Sequence, residues 1–124
     1  MNEVIKNILG RRSVRKFTDR EISKDDLEQI VTAGIHAPSG MNKQLWHFSV
    51  VKNKDLIDSL AKAIGEILDR DGYDFYRPTA LILVSNDRDN PHGQDDGACA
   101  LENIFLAAHS LGIGSVWINQ FRGI

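Results

Sequence analysis

The segment from Asp95 to Leu111 sets the strongest limit on what this chain can fold into. Ala98, Leu101, Ile104, Phe105, Ala108 and Leu111 recur at helical spacing, and Asp95 and Asp96 stand where acidic residues favour a helix N-terminus. A helix this apolar has to be covered by other elements. Its alanines predict close packing at the centre of the fold, and Gly112 predicts its end. A second apolar run, Thr79 to Ser85, predicts a strand buried on both faces. With 124 residues the chain is one domain's worth, enough for a single modest core.

The remaining elements follow from spacing and punctuation. Val4, Ile5, Ile8 and Leu9 predict a short helix closed by Gly10. Ser23 reads as an N-cap with Asp26 three residues on, a weaker form of the capping box. The helix it opens carries Leu27, Ile30, Val31 and Ile35 on one face, and it must stop by Ala37, because Pro38 disfavours helical geometry in the residue before it. Ser39 to Gln44 is a polar loop, and Trp46 to Val51 reads as a strand. Asp55 to Leu68 predicts an amphipathic helix with Leu56, Ile57, Leu60, Ile64, Ile67 and Leu68 facing inward. A breaker region, Arg70 to Pro78, leads into the apolar strand, and Ile113 to Ile118 reads as a third strand. The order is helix, helix, strand, helix, strand, helix, strand, an α+β or α/β domain. Three strands are few for helices this apolar, so a partner chain or a further segment is expected to complete the sheet.

Composition narrows the function classes. The content is 42% hydrophobic and 26% charged, ordinary for a soluble globular protein. A formal charge of -2 argues against general nucleic-acid binding. The single cysteine, Cys99, allows no internal disulfide and no multi-cysteine metal site, and is expected to be a small core residue. No leader-like or membrane-spanning run occurs, so a cytoplasmic location is the expectation. Asp87 and Asp89 before Gly93 break the calcium-loop register at Pro91, and His36, His47, His92 and His109 lack zinc-site spacing, so no metal is expected. His109, four residues after Phe105, fits a core or interface histidine. Gly112 and Gly114 lack the third glycine and the helix of a dinucleotide fingerprint.

Two segments carry chemistry. Arg11, Arg12, Ser13 and Arg15 follow a helix end; guanidinium groups make bidentate bonds to phosphate and a serine hydroxyl adds another donor, although a solvated basic turn has the same composition. Pro38, Ser39, Gly40, Asn42 and Gln44 form the second. Its amides both donate and accept, which suits the mixed edge of a flavin pyrimidine ring, although a plain helix-to-strand loop also fits.

Taken together these segments resemble the nitroreductase family. Arg-Arg-Ser-x-Arg at 11–15 resembles its FMN-binding opening, and Ala37-Pro38-Ser39-x-x-Asn42-x-Gln44-x-Trp46-His47-Phe48 resembles its second signature. Asp96, Ala100, Asn103, Leu106, Ala107, Ala108, Leu111, Gly112, Gly114 and Trp117 match its central helix and following strand. The resemblance runs from about residue 4 to 122. It implies an α+β three-layer sandwich, a mixed and mostly antiparallel sheet flanked by helices, in an intertwined homodimer. Residues 1–124 would form a single FMN-binding domain, C-terminally incomplete. The implied activity is ping-pong hydride transfer from NADH or NADPH through FMN to a nitroaromatic, quinone or similar small-molecule acceptor, with no side-chain nucleophile. No membrane or nucleic-acid partner is implied.

Carried over by position, Arg11, Arg12, Ser13 and Arg15 match contacts to phosphate, ribityl chain and pyrimidine edge, with Arg15 near flavin N1 and O2. Pro38, Ser39, Gly40 and Asn42 match residues presented from the other subunit, and Gln44 belongs to the same motif. The family's later strands, its Gly-Tyr-Pro-like segment, a late basic residue and a contact to flavin N5 have no match here, which implies labile FMN. Tyr73 to Tyr76 stand where the family has a further polar contact. Alternatives are a dehalogenase or flavin-fragmenting enzyme on the same fold, or a truncated, weakly flavin-binding or non-enzymatic dimeric paralogue.

Overall fold

The structure is a computed structural model, and it describes residues 1–119. In chain order the elements are α1 (Glu3–Gly10), α2 (Lys24–Ile35), a 3-10 turn (Gly40–Asn42), β1 (Trp46–Val51), α3 (Lys54–Ile67), β2 (Leu81–Asn86) and α4 (Gly93–Ser110). The starts of α1, α2 and α3 are set by side chains. The Oδ1 of Asn2 accepts from Ile5 N–H at 2.9 Å, Ser23 Oγ from Asp26 N–H at 3.1 Å, and Asn53 Oδ1 from Leu56 N–H at 3.0 Å. Each such cap contributes about 1 kcal/mol. At the other end of α4, Gly112 turns left-handed at φ 76°. Its N–H donates to His109 O at 3.0 Å and Ile113 N–H to Ala108 O at 2.9 Å. Those two bonds are a Schellman stop, and glycine is there because a Cβ penalises that φ.

As its composition demands, α4 is the centre of the fold. Ala100 is fully buried, with Ile104, Phe105 and Ala108 nearly so. Helix α2 lies along α4, burying Ile30 against Ile104, Phe105 and Ala108. A Cβ on Gly34 would stand only 3.0 Å from Ile104 Cδ1, so glycine sets how closely the helices approach. Asn103 Nδ2 fastens the pair by donating to Ala33 O at 2.9 Å. Helix α1 is tied on by Asn7 Nδ2, which donates to Leu106 O at 2.8 Å across 99 residues of sequence. Its Val4, Ile5, Ile8 and Leu9 remain exposed, Val4 at 66% and Leu9 at 65%.

Strands β1 and β2 pair antiparallel, with Trp46 opposite Asn86 and Val51 opposite Leu81. Trp46 joins Ala37 and Ala100 in one core cluster, while α3 packs through Ile57 and Ala61 on Phe75 in another. Tyr73 lines that second cluster. Its hydroxyl is buried without a hydrogen-bond partner among the described residues, and burial, ahead of the neighbouring Tyr76, pushes its pKa up.

Several expectations need correction. Ile113–Ile118 is not a strand: among the described residues the segment makes one isolated parallel bridge, Ser13 to Ser115. β2 is half-buried rather than buried on both faces, because Leu81 to Val84 all line an open groove of about 1780 Å³. Cys99 is exposed, not core, because it sits one residue, about 100° of helical turn, from the buried Ala100. Leu56 and Ile67 of α3 and Ile35 of α2 are also exposed. The face that α3 buries is the narrow stripe Ile57, Ala61 and Gly65, and these residues fall beside it. The chain-end reading falls on residues 120–124, outside those described.

Candidate functional site

The arginine segment begins where α1 stops. Arg11 leaves the helix in extended geometry, its N–H still bonded to Asn7 O at 3.2 Å. Val14 N–H then donates to Ser115 O at 2.9 Å, docking the segment on the chain that follows α4. Two glycines permit this approach. A Cβ on Gly114 would lie 3.0 Å from Val14 Cγ1, and one on Gly10 would lie 3.0 Å from His109 Nε2. His109 is therefore a packing residue between α1 and α4.

Arg11 is half-buried rather than fully exposed, and its Nε lies 3.7 Å from Glu102 Oε1. Arg12, Ser13 and Arg15 are exposed. Among the described residues neither Arg12 nor Arg15 is paired with an acid, and the Ser13 hydroxyl has no hydrogen-bond partner. Their donors face solvent at the end of a short helix.

The second segment is built differently. Ser39 Oγ accepts from Gln44 N–H at 3.1 Å, and Asn42 N–H donates to Ser39 O at 2.9 Å. Gly40 N–H donates to Asp96 Oδ1 at 2.9 Å. Met41, Asn42 and Gln44 all sit in the left-handed region, at φ 55°, 55° and 53°. Strain of this kind costs of order 1–3 kcal/mol per residue and persists only where surroundings over-determine the backbone. Pro38, Met41, Asn42 and Gln44 are exposed, and the side-chain amides of Asn42 and Gln44 make no hydrogen bond among the described residues.

Beneath the loop lies a polar network that sequence reasoning missed. Asp96 is 5% exposed, and its second oxygen, Oδ2, accepts from Asn90 Nδ2 at 3.1 Å. Asn90 Oδ1 accepts from His92 N–H at 3.0 Å, and Asn90 Nδ2 also reaches Asn86 Oδ1 at 3.3 Å. Asn86 Nδ2 in turn donates to Gly93 O at 2.9 Å. The His92 ring packs so closely on Gly40 that a Cβ there would lie 2.4 Å from His92 Cδ2. Asp96 was legible as a helix-opening acid. Nothing in Asn86, Asn90 or His92 separated them from an ordinary turn.

The structure ties the two segments to separate stretches of α4. Gly40 is held at Asp96 and Arg11 lies at Glu102. These positions are six residues apart, about 9 Å along the helix and about 120° around it. The segments thus dock on different faces of α4 in one chain. None of the sequence-picked residues lines the large groove beside β2.

Comparison with known proteins covers both segments. A sequence model of the nitroreductase family matches residues 8–75, which contain Arg11–Arg15 and Pro38–Gln44. An Archaeoglobus fulgidus protein of the NADH dehydrogenase/NAD(P)H nitroreductase type is 36% identical over 98% of this chain, which spans 70% of its length. The FMN reductase [NAD(P)H] of Bacillus subtilis is 29% identical over 99% of the chain, which spans 56% of that enzyme. The crystal structure of a Bacteroides fragilis nitroreductase with bound FMN superposes with a TM-score of 0.88 at 41% identity, covering 97% of this chain and 71% of the other. The α+β architecture expected from the sequence is thus that of these relatives, and the chain belongs to the nitroreductase family.

Proposed function

We propose that this protein binds FMN and acts as an FMN-dependent oxidoreductase, passing hydride from NADH or NADPH to a small acceptor such as a nitroaromatic or quinone, as a homodimer. One observation carries the reading. Two donor-rich segments, both inside the family match, present Arg12, Ser13, Arg15 and the side-chain amides of Asn42 and Gln44, whose polar groups have no partner among the described residues. FMN fits this donor set: a phosphate for guanidinium groups, a ribityl chain for a hydroxyl, and a pyrimidine edge for groups that both donate and accept. When bound, FMN supplies the hydride-accepting and hydride-donating chemistry, and the protein's task is to bind, orient and tune it.

Arg11, Arg12 and Ser13 hold the phosphate and ribityl chain. Arg15 places positive charge at the pyrimidine edge, where it favours negative charge on the ring. Pro38, Ser39, Gly40, Asn42 and Gln44 present backbone and amide groups to the ring from the partner protomer. That last assignment agrees with the docking of the two segments on different faces of α4. The exposed apolar side of α1 supplies surface for an interface. Dimers of this obligate kind bury more than about 2,000 Å².

The full chain should be yellow on purification, or quench FMN fluorescence saturably, and should oxidise NADH or NADPH only when a nitroaromatic or quinone is added. Sedimentation should give a dimer at micromolar concentration. No saturable flavin binding would overturn the proposal; a folded monomer that binds FMN would overturn its dimeric form.

A further inference from the structure

We infer that Asp96 is a positioning residue whose side chain fixes the Ser39–Gln44 loop in the shape that meets the cofactor; this rests on the FMN-binding reading above. Asp96 is the one buried charged residue among those described. A buried carboxylate is a poor source of stability, because desolvation offsets much of what its bonds return. Its value lies in geometry.

Two donors converge on its side chain. Gly40 N–H reaches Oδ1 at 2.9 Å and Asn90 Nδ2 reaches Oδ2 at 3.1 Å. The Asn90 amide cannot turn over to offer an oxygen instead, because its Oδ1 is committed to His92 N–H at 3.0 Å. Position 96 therefore needs an acceptor on both arms. Aspartate meets that demand. Asparagine has a second donor where an acceptor is required, and alanine has neither arm.

The other side of the loop is closed by the His92 ring, against which only a glycine at position 40 fits. Gly40 is thus clamped between a carboxylate and an imidazole, both from the opening of α4. From this fixed point the left-handed residues Met41, Asn42 and Gln44 project outward. Asp96 touches none of them in the hydrogen-bond network. It acts through Gly40, so its removal should alter how the loop meets FMN as well as how firmly the chain folds.

The test compares the full-length wild type with Asp96→Ala, Asp96→Asn and Asn103→Ala. Asn103→Ala is a control on the same helix, losing only the bond to Ala33 O. Three quantities are read: FMN affinity by fluorescence titration, the visible circular dichroism of bound flavin, and the thermal midpoint without FMN. Asp96→Ala should weaken FMN binding about 12- to 150-fold, the range for losing a hydrogen bond to a charged group, and should change the flavin dichroism. Asp96→Asn keeps an acceptor for Gly40 and should weaken binding about 2- to 12-fold, the range for one neutral bond. Asn103→Ala should lower the midpoint with affinity and dichroism unchanged. Should Asp96→Ala fail to fold, Asp96→Asn decides by the same two optical readouts. Wild-type affinity and dichroism in the Asp96 variants, or losses no greater than in Asn103→Ala, would overturn this inference alone. A wild type that takes up no FMN would overturn it together with the reading it rests on.

Discussion

The loop at Ser39–Gln44 and the turn at Arg11–Arg15 reach the surface by opposite means. The loop is built from within: Gly40 on Asp96, Asn42 on Ser39, and Gln44 on the Ser39 hydroxyl hold its backbone in a strained shape. The turn is held at its edges, by Arg11 on Asn7 and Val14 on Ser115, while its side chains carry charge with little to restrain them. One region contributes form and the other contributes field. A preformed loop loses little entropy on binding, whereas the long, exposed side chains of Arg12 and Arg15 have more rotamer freedom to lose.

Substitutions can break or sharpen that contrast. The largest effect is expected at Arg15. Arg15→Ala should weaken FMN binding about 10- to 150-fold, the range for one charge-assisted hydrogen bond, and lower the potential of the bound flavin. Its folding free energy without FMN should stay within about 0.5 kcal/mol of wild type, as for an exposed side chain. Titration, potentiometry and thermal melts read these, and a large stability loss would erase the distinction. Gly40→Ala should do the reverse and act on the fold first. Its Cβ would meet His92 Cδ2 at 2.4 Å, so the apoprotein should lose about 1–3 kcal/mol, the cost of overpacking. Denaturant unfolding checks it, and wild-type stability would mean the loop is not clamped. The smallest effect belongs to Glu102→Gln. The pair with Arg11 spans 3.7 Å, with side chains 30% and 55% exposed, and such pairs contribute about 0.2–1 kcal/mol, less in salt. A loss above about 2 kcal/mol would make Arg11 structural and undo its place in the contrast.

How much of this was legible in the sequence depended on the range of the signal. Local chemistry read well: the Ser23 cap, the Gly112 stop and the limits of β1 follow from neighbours a few residues apart. The nine positions chosen for FMN came from the resemblance to the family's motifs, and they lie in two separate segments, six of them exposed and Arg11, Ser39 and Gly40 half-buried. Signals that depend on distant neighbours were lost. Ile113–Ile118 has strand-like residues but only the one bridge at Ser115, because pairing needs a partner strand and not propensity alone. Cys99 differs from Ala100 only by rotation about a helix axis, so its exposure depended on where α2 and the strands lie. The Asp96 network joins residues from β2, the turn after it and α4 to a glycine 56 positions upstream of Asp96. No spacing rule announces such a set.

The bond from Asn7 to Leu106 O also imposes an order in time. It closes a span of 99 residues, so α1 is made before α4 and can dock only after most of α4 exists. At about 5–20 residues per second, synthesis of that span occupies about 5 to 20 s. Through that interval the Asn7 amide has no Leu106 carbonyl to donate to. Helix α1, from which the arginine turn hangs, thus leaves the ribosome well before the helix that holds it.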